Sequence, residues 1–415
     1  MAVVLPWSPL DPRLGIGRGC PPAPANVPRA PARRRLGPSG DSQQKAPTVA
    51  RSLRQNLQER IGSSGPLPFI DFMQAALYHP SDGYYATRVP GHGSHYRTSP
   101  SLTPWFGRLA ARELRRMWQA IGRPEPFWVV EVGGGQGDLA ADAMEAADSM
   151  GVPLQWRFIE RFDRVRDWQR RRLGPAAGLT EWSTDLSGPP VVGCVIANEV
   201  LDNFPVHVLE VAEAGSVQEI YVDVDGDGFV ERLGALSDVT LAEPAREAAA
   251  HLAPGARFEI SSGVEAWCRD ASRALTCGYL LLIDYGGLEP DIWLEHPDGT
   301  VATYRREDAT PSPLNEPGSK DITADVNFSA VARAAQSAGF CPEPVITQGS
   351  WLLSLDIARV AEDLETAGFM AALEGLVEEA TVLQGQLGRL MELGDAGGLG
   401  SLLVLRAAKD APTPC

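Results

Sequence analysis

The chain has 415 residues, 44% of them hydrophobic and 22% charged, which suits one large α/β domain with insertions or two domains. Its formal net charge of −16 argues against a general nucleic-acid binder, which needs a basic surface to meet phosphates. No apolar run approaches the length of a membrane span, and the six cysteines form no CxxC unit, so neither a zinc ribbon nor a disulfide framework is expected.

Residues 1–50 are rich in Pro, Ala and Arg and are expected to be disordered. Scattered free thiols fit a reducing compartment. Pro21, Pro22, Pro24, Pro28 and Pro31 would interrupt an amphipathic targeting helix. A bacterial cytoplasmic location is therefore preferred over the mitochondrial matrix. Residues 51–125 read as an N-terminal helical region. Phe69, Phe72, Met73, Ala76 and Leu77 share one side of a helix over 69–78. His92 and His95 lie in a loop with no third ligand nearby, so no metal site is expected. The helix over 103–120 carries Arg108, Arg112, Arg115 and Arg116, read as a solvated face.

The stretch WVVEVGGGQGDLAADAM at 128–144 organises the rest. It reads as a strand, a glycine turn and a helix. Gly133, Gly135 and Gly137 permit a tight turn and close backbone approach to a ligand. No Gly-Lys-Ser/Thr follows, which excludes a phosphate-binding loop, and a dinucleotide pattern would need glycine where Asp138 stands. Glu131, just before the glycines, suits the cationic methionine end of S-adenosylmethionine. Glu160 ends the next strand, over 154–160, where a carboxylate can accept ribose hydroxyls. Asp185, Glu181 and Trp182 are alternative neighbours for the adenine. The nearly all-apolar run 191–198 reads as a strand buried on both faces, and Asn198, Glu199 and Asp202 follow it into the ligand crevice. Glu199 and Asp202, three apart, would share a side of a helical turn and could hold a cationic acceptor.

Short strands with glycine turns are expected from 206 to about 260. The DVDGDG run at 223–228 lacks a twelfth-position glutamate and flanking helices, so it is no calcium loop. An apolar strand ends at Asp284 and a loop-rich segment follows, with TYRR at 303–306 as its ordered part. Residues 356–393 read as helix interrupted near Gly368 and Gly385, 399–406 as the final strand, and 407–415 as a disordered tail. The expected architecture is one α/β, Rossmann-like domain over 126–406, with insertions at about 206–260 and 288–355.

The chain resembles the MidA/NDUFAF7 family of class I S-adenosylmethionine-dependent methyltransferases over roughly residues 54–406. The segments that carry this are YHPSDGYY at 78–85, Thr98-Ser99-Pro100 with Phe106-Gly107, the turn 131–138, and Ala197-Asn198-Glu199 with Asp202 and Pro205. Ile283-Asp284-Tyr285-Gly286, DITADVNF at 321–328, and Thr347-Gln348-Gly349 complete the set. The resemblance implies S-adenosylmethionine as cofactor, with Thr98 near it, and methyl transfer to a protein or peptide, arginine being the preferred acceptor. The sequence departs from the family where Ser94, His95 and Tyr96 replace Gly-Asp-Phe and where Ser101 replaces Glu. A small-molecule acceptor, a non-catalytic assembly factor that keeps the fold, and a homodimer therefore stay open. No nucleic acid and no membrane partner is expected.

Overall fold

The computed structural model describes residues 52–88, 98–304 and 312–414. The segment 1–50 and the loop residues His92, Ser94, His95 and Tyr96 lie outside the described residues. From Leu53 onward the chain packs as one unit. Helix α1 (Leu53–Ser64) buries Leu53, Leu57 and Ile61, and α2 (Phe69–Tyr78) buries the five residues its periodicity selects. Helix α3 (Pro104–Ala120) begins where Thr103 accepts a hydrogen bond from the Trp105 N–H, with Pro104 in the first turn where its missing donor costs nothing. Its arginines are more than a solvated face. Arg112 and Arg116 donate, each at 2.6 Å, to the carbonyls of Leu355 and Ser354, which end a later helix.

The central sheet begins with β1 (Phe127–Val132), α4 (Asp138–Ser149), β2 (Leu154–Ile159), α5 (Asp163–Leu173), β3 (Thr180–Ser183) and β4 (Val191–Asn198). β1 lies between β2 and β4, with β3 outside β2, all parallel. β4 is buried on both faces. Val195 and Ala197 enter the core that contains α1 and α2, while Cys194 and Ile196 enter the core that contains α3 and α4. Burial on both faces is why this strand is a continuous apolar run.

A second sheet follows, from β5 (His207–Val211), β6 (Val217–Asp225), β7 (Gly228–Gly234) and, after α6 (Ala242–Ala249), β8 (Arg257–Ile260). The expected meander is extended by an unforeseen partner. Leu67 and Pro68 pair antiparallel with Val222 and Tyr221, so the N-terminal helical region also supplies a strand. A small core of Leu209, Val211, Phe258 and Trp293 closes its other face.

Helix α7 (Val264–Arg273) leads into β9 (Leu275–Asp284), which pairs parallel with β4. The segment after β9 is tied down at two places. Gly286–Gly287 pairs with Val326–Asn327, and Ala302–Tyr304 pairs with Asp321–Thr323. Arg305 and Arg306 lie outside the described residues. Then come α8 (Phe328–Ser337), α9 (Gln348–Ser354), α10 (Ile357–Leu373), α11 (Val377–Gly394) and β10 (Leu403–Lys409). The helical break falls at Gly375, whose φ of 79° lets the chain reverse. Gly368 and Gly385 sit inside α10 and α11. A Cβ on Gly368 would stand 3.6 Å from that of Leu383, so this glycine serves close helix packing rather than interruption.

The last strand starts and ends later than expected. Leu399–Ser401 is a single 3-10 turn, and Ala407 and Ala408, assigned to a disordered tail, are buried and pair antiparallel with Leu280 and Tyr279. Small apolar residues at a chain end look like a tail until a neighbouring strand covers them. With β10 the long strands run β3-β2-β1-β4-β9-β10, five parallel and the last antiparallel, and the short segments Cys341–Pro342 and Ile346–Thr347 pair antiparallel on the far edge of β10; this is the expected Rossmann-like α/β fold.

Candidate functional site

The carboxyl ends of β1 and β4 open onto a pocket lined by Thr98, Ser101, Glu131, Gly133–Gly135, Asp138 and Asn198. Gly133, Gly135 and Gly137 have φ of 67°, 49° and 89°, left-handed values that a side chain resists. A Cβ on Gly135 would meet nothing within 4 Å, so the backbone there faces open space. Asp138 opens α4 and is held by Arg172 of α5 at 2.7 Å. The position where a dinucleotide turn needs its third glycine is therefore occupied by half of an ion pair.

Glu131 is buried, and its carboxylate accepts a 2.8 Å hydrogen bond from the Trp156 indole. Burial pushes its pKa up to about 8, against the lowering effect of that bond. Glu160, expected to end this strand, is the first residue after β2 and is fully buried. One oxygen accepts the Phe162 N–H at 2.8 Å, and the other finds no partner among the described residues. Burial pushes this group up to about 7. A surface pair with Arg161 or Arg164 is not formed among the described residues, and Arg164 donates instead to the Tyr85 carbonyl. A buried carboxylate with an unused oxygen is a costly arrangement unless a donor arrives, and a ribose diol supplies donors.

Of the three candidates for the adenine, two are engaged within β3. Glu181 pairs with Arg157 at 3.1 Å, and Trp182 donates to Gln169 at 2.9 Å while stacking on Phe158. Asp185 lies beyond the strand, exposed, accepting from the Ser187 N–H at 2.9 Å, and the Ser187 bonds hold its pKa below the usual carboxylate range.

The Thr98–Ser101 turn covers the pocket from another side. Ser101 Oγ accepts the Thr98 N–H at 3.0 Å, closing a reciprocal capping box around the short helix Ser99–Leu102. Glutamate is the usual residue for that reciprocal bond. Ser101 makes that bond here with a hydroxyl and brings no charge to it.

Behind Asn198 lies a cluster of buried carboxylates. Glu199 has a φ of 52°, a left-handed conformation that costs a non-glycine residue about 1–3 kcal/mol. Its N–H donates to the Ile283 carbonyl at 2.7 Å. Glu199 and Asp202 do not share a helical turn, because the left-handed residue breaks the path before the 3-10 turn Leu201–Asn203. Asp284, at the end of β9, organises them instead. One of its oxygens accepts the N–H groups of Val200, Leu201 and Asp202 at 2.9, 2.8 and 3.3 Å. Glu199 Oε1 accepts from Asn198 at 3.0 Å and from the Ser99 N–H at 3.2 Å. Glu199 Oε2, Asp202 Oδ1 and Asn198 Oδ1 have no partner among the described residues. Burial, then the Asp284 charge, pushes Glu199 up to about 8, and the same two causes push Asp202 well above its ordinary value.

Sequence reasoning missed the residues that hold this cluster. Tyr85 donates to Asn203 at 2.8 Å and to Asp321 at 2.9 Å, and Asn203 donates to Asp321 at 3.0 Å. Ser99 Oγ donates to Gln348 at 3.1 Å, and Gln348 donates to the Leu393 and Leu399 carbonyls. Asp284 carried the same signal as Glu199, a polar residue closing a buried strand. Tyr85, Ser99, Asp321 and Gln348 lie in segments that carry the family resemblance, but nothing local to them indicated this role, and Asn203 carried no signal at all.

Residues 109–344 match a family model described as "Putative S-adenosyl-L-methionine-dependent methyltransferase". The protein named Protein arginine methyltransferase NDUFAF7 homolog, mitochondrial, of Drosophila melanogaster is 30% identical over 345 residues, covering 75% of this chain and 76% of its own. Protein arginine methyltransferase NDUFAF7, mitochondrial, of Homo sapiens is 27% identical, covering 78% and 77%. A crystal structure of a Burkholderia thailandensis protein bound to S-adenosyl-homocysteine superposes with a TM-score of 0.78 at 27% identity, covering 87% of this chain and 92% of that one. A native crystal structure from the same organism gives a TM-score of 0.74, also at 27% identity, covering 86% and 91%.

Proposed function

Because this chain belongs to the MidA/NDUFAF7 family of class I S-adenosylmethionine-dependent methyltransferases, we propose that it methylates a protein side chain, with the arginine guanidinium as acceptor. The carrying observation is the pair of unpartnered buried oxygens, Glu199 Oε2 and Asp202 Oδ1, behind an asparagine that lines the pocket. A planar cation with several N–H donors matches that need.

S-adenosylmethionine supplies a methyl group already activated on a sulfonium. In our reading the turn at Gly133, Gly135 and Gly137, with Glu131, holds the methionine end. Glu160 accepts the ribose hydroxyls and Asp185 borders the adenine. Thr98 and Ser101 close the pocket over them. Glu199 and Asp202 orient the guanidinium beside Asn198, which supplies most of the rate by fixing one nitrogen in line with the methyl group. As the N–CH3 bond forms, the S–CH3 bond would break and S-adenosylhomocysteine would leave; one proton must leave that nitrogen, and in this reading Glu199 accepts it. A base with a pKa near 8 is protonated at lower pH, so kcat/KM is expected to rise with pH through about 8.

The test is incubation of the protein with methyl-labelled S-adenosylmethionine and lysate proteins, with mass spectrometry of the labelled product. Label on a protein arginine is expected. Glu199→Gln and Asp202→Asn should each lower it by about 100-fold, with S-adenosylhomocysteine affinity kept. Label confined to small molecules would overturn the acceptor. Tight cofactor binding with no label anywhere would favour a non-catalytic assembly role.

A further inference from the structure

Among the described residues thirteen large apolar side chains are exposed, and seven of them lie on the α10–α11 hairpin. The inward face of α10 sends Val360 and Leu364 into the core that contains α3 and α4, and Ala371 is buried nearer its distal end. On the outward face Phe369, Met370 and Leu373 are 62%, 48% and 66% exposed, and the chain turns into α11 through Leu376 and Val377 at 46% and 69%. Phe369 and Leu373 are one helical turn apart, so the patch is continuous across the distal end. Scattered exposed leucines need no explanation, but a contiguous patch of Phe, Met and Leu has the composition of an interface.

The charge around it selects the partner. Residues 357–394 carry seven carboxylates and two arginines, Arg359 and Arg389. A second copy would set acidic rim against acidic rim, and an anionic bilayer would be repelled in the same way. A basic segment with an apolar face would satisfy both features at once. We propose that the distal end of the hairpin docks a basic amphipathic helix of the protein acceptor, an inference that rests on the protein-acceptor reading above.

The base of the hairpin is bound to the site. Gln348 is fully buried, donates to the Leu393 carbonyl near the end of α11, and accepts from Ser99, whose N–H holds Glu199. Helices of 17 and 18 residues place the docking end about 25 Å from that base. The patch is thus an anchor remote from the chemistry, recognising a part of the acceptor that is not methylated.

The probe is a fluorescein-labelled synthetic helix of about five turns, with leucines on one face and Lys and Arg on the other. Its twin carries Glu at the basic positions. Both are titrated against the full chain, Phe369→Ser/Leu373→Ser and Glu374→Lys/Glu378→Lys, with S-adenosylhomocysteine affinity as the check that each variant is folded. The basic helix should bind the wild type and lose at least tenfold in both variants, while the Glu twin binds none of them. Equal binding of the basic helix to the serine variant would overturn the proposal. So would a dimer seen by sedimentation, or binding to phosphatidylglycerol vesicles, that the serine substitutions abolish, since either makes something else the occupant. A wild type that binds the basic helix through this patch but labels no protein keeps the docking surface and removes the acceptor reading.

Discussion

The glycine turn after β1 and the carboxylate cluster after β4 stand at neighbouring ends of one sheet, yet the chain builds them in different ways. The turn is contiguous. Glu131, three left-handed glycines and Asp138 span eight positions, and the bond that fixes Glu131 reaches only 25 residues, to Trp156. The cluster is assembled from far apart. Ser99 is joined to Gln348 across 249 residues, Tyr85 to Asp321 across 236, and Asp284 to Leu201 across 83. A local turn can be specified by the conformational preferences of its own residues. A cluster of buried like charges needs a scaffold, because each carboxylate raises the cost of ionising the next. Under the proposed roles, with the cofactor at the turn and the acceptor at the cluster, the cofactor half should therefore yield to a single local change, and the acceptor half should depend on residues that touch no substrate.

The largest effect is expected at the turn. Gly135→Val puts a branched side chain at φ 49°, which it resists, and directs it into the open space before the pocket. S-adenosylhomocysteine affinity, measured calorimetrically, should fall by about 100-fold, with the thermal midpoint lowered by a few degrees at most. Gly135→Ala, which meets no protein atom within 4 Å, should fall between the two. Unchanged affinity in the valine variant would mean that the ligand does not approach this backbone, and the comparison between the halves would lose its first term.

What was legible in the sequence follows the same division. β1, its turn and Glu131 were readable because the strand period, the glycine spacing and the carboxylate fall in one window. β4 was readable from its apolar run, and with it Asn198, Glu199 and Asp202. How the two acids are held was not readable. Their spacing suggested a helical turn, and only the left-handed φ of Glu199 and the grip of Asp284 reveal another arrangement. Leu67–Pro68 was invisible as a strand because two residues have no period, and its partner lies over 150 positions away at Tyr221 and Val222. The turn between α10 and α11 was misplaced because a glycine that lets helices pack and a glycine that ends one look alike in sequence. Only φ separates Gly375 from Gly368.

A smaller but more diagnostic effect is expected at Asp284. It lines no part of the pocket, so its replacement tests whether the scaffold governs the acceptor half alone. Asp284→Asn leaves three backbone donors with a weaker, uncharged acceptor, and transfer should fall by about tenfold while S-adenosylhomocysteine affinity stays within a factor of about two. The pH profile carries the distinguishing sign. The Asp284 charge raises Glu199, so removing it lowers the Glu199 pKa, and the half-maximal pH of kcat/KM should move below about 8. A loss of activity with the pH profile unmoved would make Asp284 a merely structural residue.

The smallest effect is expected at Ser101, where the two halves meet and where the family resemblance leads one to expect a glutamate. Ser101 lines the pocket, but its hydroxyl serves the Thr98 backbone, and a glutamate at this position could make the same bond. If backbone geometry is what this position contributes, Ser101→Glu should leave transfer and cofactor affinity within a factor of about two. It should also raise stability by a few tenths of a kcal/mol, up to about 1 kcal/mol, since a carboxylate near a helix N-terminus is favourable. Ser101→Ala, which removes the reciprocal bond, should cost about 0.5–1 kcal/mol and loosen the turn that brings the Ser99 N–H to Glu199. Activity would then fall in the alanine variant and recover in the glutamate variant, read from thermal midpoints and transfer rates together. A gain of tenfold or more in Ser101→Glu would carry the opposite meaning. The missing charge would then belong to the chemistry, and the turn would be part of the acceptor half rather than a lid over the cofactor.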